Sequence, residues 1–386
     1  MTRVLMTADT VGGVWTYACE LIAALAPHGV EVTLAAMGGA LSPGQARRVA
    51  QLPNLDVVER PFALEWMPEP WRDVDAAGDW LIGLAARVAP DIVHLNGYAH
   101  AVLPFAAPVV VVAHSCVWTW TRAVRGRDPG PEWSEYRRRV TAGLAAADVV
   151  VAPTAAILRR VLEAYGASPR SQVIPNACSA RPWRPGQKDQ VVLSAGRLWD
   201  EAKGLADLVA CAPRVAWPIA VAGPTSPPSA PAASRRALEA IRDPISAPGA
   251  SEGAAPRGVQ VLGALEPDAL AAWMARSSIY ALPARYEPFG LSVLEAALAG
   301  CALVLGDVPS LREIWDTTAM YVPPGDPDAL GFTLNALIRD PLARGARAAR
   351  ARVRALGLSP DRMACAYRAL YDEEIARRQV RREASA

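Results

Sequence analysis

The first forty residues, MTRVLMTADTVGGVWTYACELIAALAPHGVEVTLAAMGGA (1–40), decide the fold. Residues 4–6 are an apolar strand. Gly12-Gly13 end a short turn and open residues 14–26, where apolar side chains recur at helical spacing. Pro27-His28-Gly29 stops that helix, and residues 30–36 form the next strand. Strand, glycine turn, helix, strand is the opening unit of a parallel α/β sheet.

The pattern continues outward from this stretch. Short apolar, β-branched runs follow at 92–95, 109–113 and 149–152, each separated by helical or loop sequence. Unbroken apolar strands alternating with helices predict a parallel sheet covered on both faces, a doubly wound α/β domain. The alternation restarts after Pro185. Strands are expected at 191–195, 219–222, 259–262, 279–282 and 302–305, with a helix at 204–211. The whole therefore reads as two Rossmann-like doubly wound α/β domains facing across a cleft that suits a ligand. Expected boundaries are 1–175 for the first domain, 176–187 for a linker and 188–360 for the second. A C-terminal helix over 361–386 has the option of packing back on the first domain, its arginines read as a solvated face. Residues 224–258 are dense in Pro, Ala, Ser and Gly and read as a long surface insertion with one helix at 234–242.

Bulk properties agree. A chain of 386 residues suits two domains, and 52% hydrophobic residues supply two cores. A net charge of +2 argues against a nucleic-acid partner. The six cysteines (19, 116, 178, 211, 301, 365) form no CxxC pair or metal-ligand spacing, as expected of reduced thiols in the cytoplasm. Residues 1–6 do not open a signal peptide, and no apolar run approaches the ~20 residues of a membrane span. The expected location is cytoplasmic, with at most peripheral attachment to the inner face of the membrane.

Four stretches carry chemistry. Glu287-Pro288-Phe289-Gly290-Leu291-Ser292-Val293-Leu294-Glu295-Ala296 follows a strand and runs into a helix. Gly290 sits at the helix entrance, where free N–H groups and the helix dipole favour an anion and glycine permits close approach. Glu287 and Glu295 flank that point, and a carboxylate can accept both hydrogen bonds of a vicinal diol. Gly196-Arg197-Leu198-Trp199-Asp200-Glu201-Ala202-Lys203-Gly204 lies at the carboxyl end of a strand, where open α/β sheets bind ligands. Arg197 and Lys203 there suit a diphosphate. Gly12-Gly13 opens the first helix, and His114 stands at the tip of a buried strand, where it could donate to a sugar hydroxyl or order a loop. Neither GxGxxG nor a Walker loop occurs. Taken singly, each residue also has an ordinary reading: surface carboxylates, a solvated cationic face, a satisfied core histidine, a plain turn. Trp118 and Trp120 suit either an acceptor platform or packing.

Together and in this order, the four stretches resemble the retaining glycosyltransferases of family 4, whose two-Rossmann-domain architecture is called GT-B. The resemblance covers essentially the whole chain. Ala302 stands where the family commonly has proline, and the 224–258 insertion departs from its compact pattern. The resemblance implies that Arg197 and Lys203 hold a donor diphosphate, with backbone N–H contacts from Gly290 and Leu291. Glu295 would bind ribose and Glu287 the transferred sugar. Gly12 and Gly13 would face the diphosphate from the first domain, and His114 would contact the sugar. It further implies retention of anomeric configuration, a nucleotide-diphosphate-sugar as co-substrate, and neither a metal nor any other cofactor. The acceptor (glycan, lipid or small molecule), the base and the sugar stay open. So do a sugar-nucleotide epimerase and a non-catalytic sugar-nucleotide-binding protein, and a covalent route through Glu287.

Overall fold

The computed structural model describes residues 1–166, 170–225 and 258–385. All but residues 224, 225 and 258 of the expected insertion, including its helix at 234–242, lie outside the described residues. The chain divides into two compact units, Met1–Ala177 with Pro360–Ala386, and Cys178–Ser359.

Unit 1 contains strands β1 (Thr2–Asp9), β2 (Val30–Met37), β3 (Leu55–Glu59), β4 (Ile92–Leu95), β5 (Val109–Val112), β6 (Val149–Ala152) and β7 (Ser171–Val173). They pair in parallel in the order β3-β2-β1-β4-β5-β6-β7. The helices between them are α1 (Gly13–Leu25), α2 (Pro43–Val49), α3 (Trp71–Val88), α4 (Val117–Arg125), α5 (Ser134–Ala146) and α6 (Ala155–Tyr165). Their ends are written in the sequence. Ser42 and Gln45 form a reciprocal capping box on α2, and Thr154 caps α6. Helix α1 buries Trp15, Tyr17, Ala18, Cys19, Leu21, Ile22 and Leu25, its sequence-visible stripe.

Unit 2 repeats the plan. Strands β8 (Asp189–Ala195), β9 (Ile219–Ala222), β10 (Val259–Gly263), β11 (Ser277–Leu282), β12 (Ala302–Gly306) and β13 (Met320–Val322) pair in parallel in the order β10-β9-β8-β11-β12-β13. The helices are α7 (Leu205–Cys211), α8 (Pro267–Arg276), α9 (Leu291–Leu298), α10 (Pro309–Trp315), α11 (Pro327–Arg339) and α12 (Pro341–Leu356). In both sheets the strand order reverses beside the first strand, between β1 and β4 and between β8 and β11. Such switch points leave a crevice at the carboxyl ends of the strands.

The final helix, α13 (Pro360–Ser385), belongs to unit 1. It buries Met363, Ala364, Tyr367, Leu370 and Tyr371. Tyr371 Oη lies 2.7 Å from His94 Nδ1 on β4, and Glu374, buried, pairs with Arg170. Only part of its arginine face is solvated. Arg368 and Arg377 pair along the helix with Asp372 and Glu373. Arg381 reaches Asp148 at 3.1 Å, and Arg382 donates to the Ala106 carbonyl at 2.8 Å.

Candidate active site

The unit 2 residues gather at the carboxyl edge of its sheet. Strand β11 ends at Leu282, and Phe289 plugs the core beside Val293 and Leu294, pinning the loop between strand and α9. Gly290 then starts α9 with φ +88°, and no side chain caps the helix. A Cβ at Gly290 would lie 3.0 Å from Val293 Cγ2 and 3.3 Å from Leu311 Cδ2, so position 290 needs glycine for both torsion and space. Intrahelical bonding in α9 begins with the Val293 and Leu294 N–H groups, both donating to the Gly290 carbonyl at 3.0 Å, so the N–H groups ahead of them make the helix start attractive to an anion. From the neighbouring α10, the buried Ser310 hydroxyl donates to the Glu287 carbonyl and fixes the loop from behind.

The opposite wall follows β8. Lys203 Nζ donates to Glu287 Oε2 at 2.6 Å, with the Lys203 side chain 17% and the Glu287 side chain 9% exposed. The two motifs, 84 residues apart, therefore meet through one charged pair. Gly204, at φ +71°, permits this, since a Cβ there would sit 2.3 Å from the Pro283 carbonyl oxygen. Arg197 is turned toward Asp200 at 2.9 Å and lies over the Trp199 ring. Asp200 is buried and also caps the turn that carries Lys203. Glu295 lies one turn into α9 and is buried. Its charge and that of Glu287 join burial in pushing the Tyr280 phenol up.

In unit 1, Gly12 (φ +92°) starts α1 with no side-chain cap, and Gly13 is its first residue. One turn on, Tyr17 meets the half-buried His114 edge-on, with 4.5 Å between ring centroids. Asn96, at the tip of β4, donates through Nδ2 to the Thr7 carbonyl at 2.7 Å, so its Oδ1 accepts from His114 Nε2 at 2.8 Å. Burial, with His94 beside it, holds the His114 imidazole down at about 3. The ring is thus neutral, its Nε2 proton is committed to Asn96, and Nδ1 is an acceptor. Trp118 is buried against Tyr165 and Arg137 and is packing, whereas Trp120 is half-buried under Arg125.

Sequence reasoning missed Asn96, Tyr280 and Ser310. A polar residue just beyond a buried strand flags Asn96, and a serine in the first turn of a helix flags Ser310. The Tyr280 hydroxyl carries no local signal. Among the described residues no group of three His, Cys, Asp or Glu side chains could hold a metal, and no helix is long and apolar enough to cross a membrane.

Comparison with known proteins sharpens the assignment. Residues 11–180 match the family model described as Glycosyltransferase Family 4, and residues 189–340 that described as Glycosyl transferases group 1. The glycogen synthases of two Mycobacterium tuberculosis strains are 30% identical over 289 residues, 68% of this chain. The match spans 64% of the length of those relatives. Sucrose-phosphate synthase from Thermosynechococcus elongatus superposes with a TM-score of 0.80 at 19% identity, covering 97% of this chain and 100% of its own. Anabaena HepE, solved in complex with UDP and glucose, gives 0.72 at 17% identity, covering 97% of this chain and 100% of its own. With a family model on each unit and the same doubly wound plan in both, the chain belongs to the family 4 glycosyltransferases of GT-B architecture.

Proposed function

We propose that the chain is a retaining hexosyltransferase that moves a sugar from a nucleotide-diphosphate-sugar to an acceptor hydroxyl without a metal. The observation that carries this reading is the 2.6 Å pair of Lys203 and Glu287 beside the uncapped, glycine-headed start of α9. Lys203 has three donors and can keep Glu287 while gripping a phosphate oxygen. Arg197, more than a third exposed, can exchange Asp200 for the diphosphate. Together with the N–H groups of Gly290 and Leu291, these cations neutralise the charge that builds on the leaving diphosphate. Glu287 then faces the sugar and Glu295 the ribose. In unit 1, Gly12, Gly13 and His114 are substrate-facing, His114 accepting from a hydroxyl through Nδ1. The C1–oxygen bond breaks early, the acceptor attacks from the face the diphosphate leaves, and its proton passes to a phosphate oxygen. Relatives named glycogen synthase and a structural neighbour solved with UDP-glucose support a nucleotide-sugar donor.

Titration calorimetry with UDP, ADP and GDP tests the site. The expected result is binding of at least one, weakened by roughly 2–4 kcal/mol in Arg197→Ala as charge-assisted bonds are lost. Equal affinity in both proteins removes Arg197 from the site. Transfer should survive excess EDTA, and NMR of the product should show the donor's anomeric configuration; an inverted product rejects the proposal.

A further inference from the structure

Tyr280 occupies the switch point of unit 2. The parallel ladder between β8 and β11 ends at Tyr280 opposite Leu193, while β11 stays paired with β12 as far as Leu282. Beyond Leu193 the two strands splay. Gly196 N–H turns to β9, where the Ala222 carbonyl accepts it at 3.0 Å, so the groups of Ala195 point to the side β11 has left. The Tyr280 hydroxyl takes both. It accepts from Ala195 N–H at 3.2 Å and lies 2.9 Å from the Ala195 carbonyl oxygen. The same oxygen is 2.8 Å from Ser292 Oγ, in the first turn of α9. A side-chain hydroxyl thus supplies the missing rung and ties it to the helix. Leaving buried backbone groups unpaired is costly, so the contact is held firmly. Tyr280 itself is fully buried and reaches no solvent.

We infer that Tyr280 is a positioning residue for the donor, setting the spacing between the Arg197–Lys203 loop that follows Ala195 and the N–H groups that head α9. This rests on the proposed donor site. Phenylalanine at 280 fills the same space but leaves Ala195 unpaired, so the two phosphate-gripping elements lose their common anchor. Ser292→Ala removes the helix side alone.

The test is calorimetry with whichever of UDP, ADP and GDP binds the wild-type chain, alongside thermal melting. If none binds the wild type, the donor site itself fails. If one binds, Tyr280→Phe should weaken it about tenfold and Ser292→Ala severalfold. Adding Tyr280→Phe to Arg197→Ala should cost less than it does in the wild type, because Tyr280 acts through the Arg197 loop. A merely structural role would lower the melting temperature and leave affinity unchanged, and that result overturns the inference. Should Tyr280→Phe not fold, Ser292→Ala decides alone: wild-type affinity in that variant overturns the inference.

Discussion

Glu287 and Glu295 are both buried carboxylates of one motif, yet their surroundings differ. Glu287 is bound to Lys203 on a loop braced by Ser310, while Glu295 sits within α9. Their glutamine variants should therefore fail differently. If Glu287 faces the transferred sugar as proposed, Glu287→Gln should lower kcat about 100-fold with little change in donor KM. If Glu295 holds the ribose as proposed, Glu295→Gln should raise donor KM with kcat largely kept, because binding common to ground and transition states is lost. Steady-state kinetics with varied donor separates the two, and identical defects would end the division of labour. At this scale the sequence reveals residue types and spacing. It does not reveal partners: nothing local says that Lys203 meets Glu287 across 84 residues or that Asn96 fixes the His114 tautomer, because those contacts are made by the closing of a sheet.

Among elements, the strands buried on both faces were legible because they are unbroken apolar runs. The edge strands β3 and β7 were not, since Asp56, Glu59, Ser171 and Gln172 give them the polarity of loops, and β13, though apolar, is only the three residues Met320–Val322. The start of α9 was legible from its glycine head, Gly290. Close helix approach was invisible. Gly143 of α5 faces the Tyr98 carbonyl, and a Cβ there would lie 2.0 Å from that oxygen. Gly143→Ala should destabilise unit 1 by roughly 2–4 kcal/mol through overpacking. Urea denaturation measures this, and a loss under 0.5 kcal/mol would show that α5 shifts freely.

Over the whole molecule, all four histidines lie in unit 1. Burial holds His94 and His114 down at about 3 and also lowers His100. Above about pH 6.5 these groups are neutral folded or unfolded. As pH falls below that value the unfolded chain takes up protons that the native unit refuses, so stability is lost progressively toward pH 3. Fully buried His94 alone contributes a slope of up to about 1.4 kcal/mol per pH unit. Glu65, pushed up by burial, acts in the opposite sense within its own range. Urea midpoints for unit 1 should fall between pH 7 and 5, and His94→Gln should flatten that fall; an unchanged slope would refute the assignment. Unit 2, free of histidine, should hold its midpoint.

Unit 1 is made from two separate stretches of chain, with all of unit 2 between them. Tyr367, Tyr371 and Glu374 of α13 fill places that residues 1–177 leave open. During synthesis on the ribosome, the amino-terminal stretch must therefore wait, unfinished, while unit 2 emerges as a continuous piece able to fold at once. A nascent chain stalled with unit 2 outside the ribosome and α13 still inside the exit tunnel should present a protease-resistant unit 2 and a digestible amino-terminal stretch, which becomes resistant only when α13 clears the tunnel.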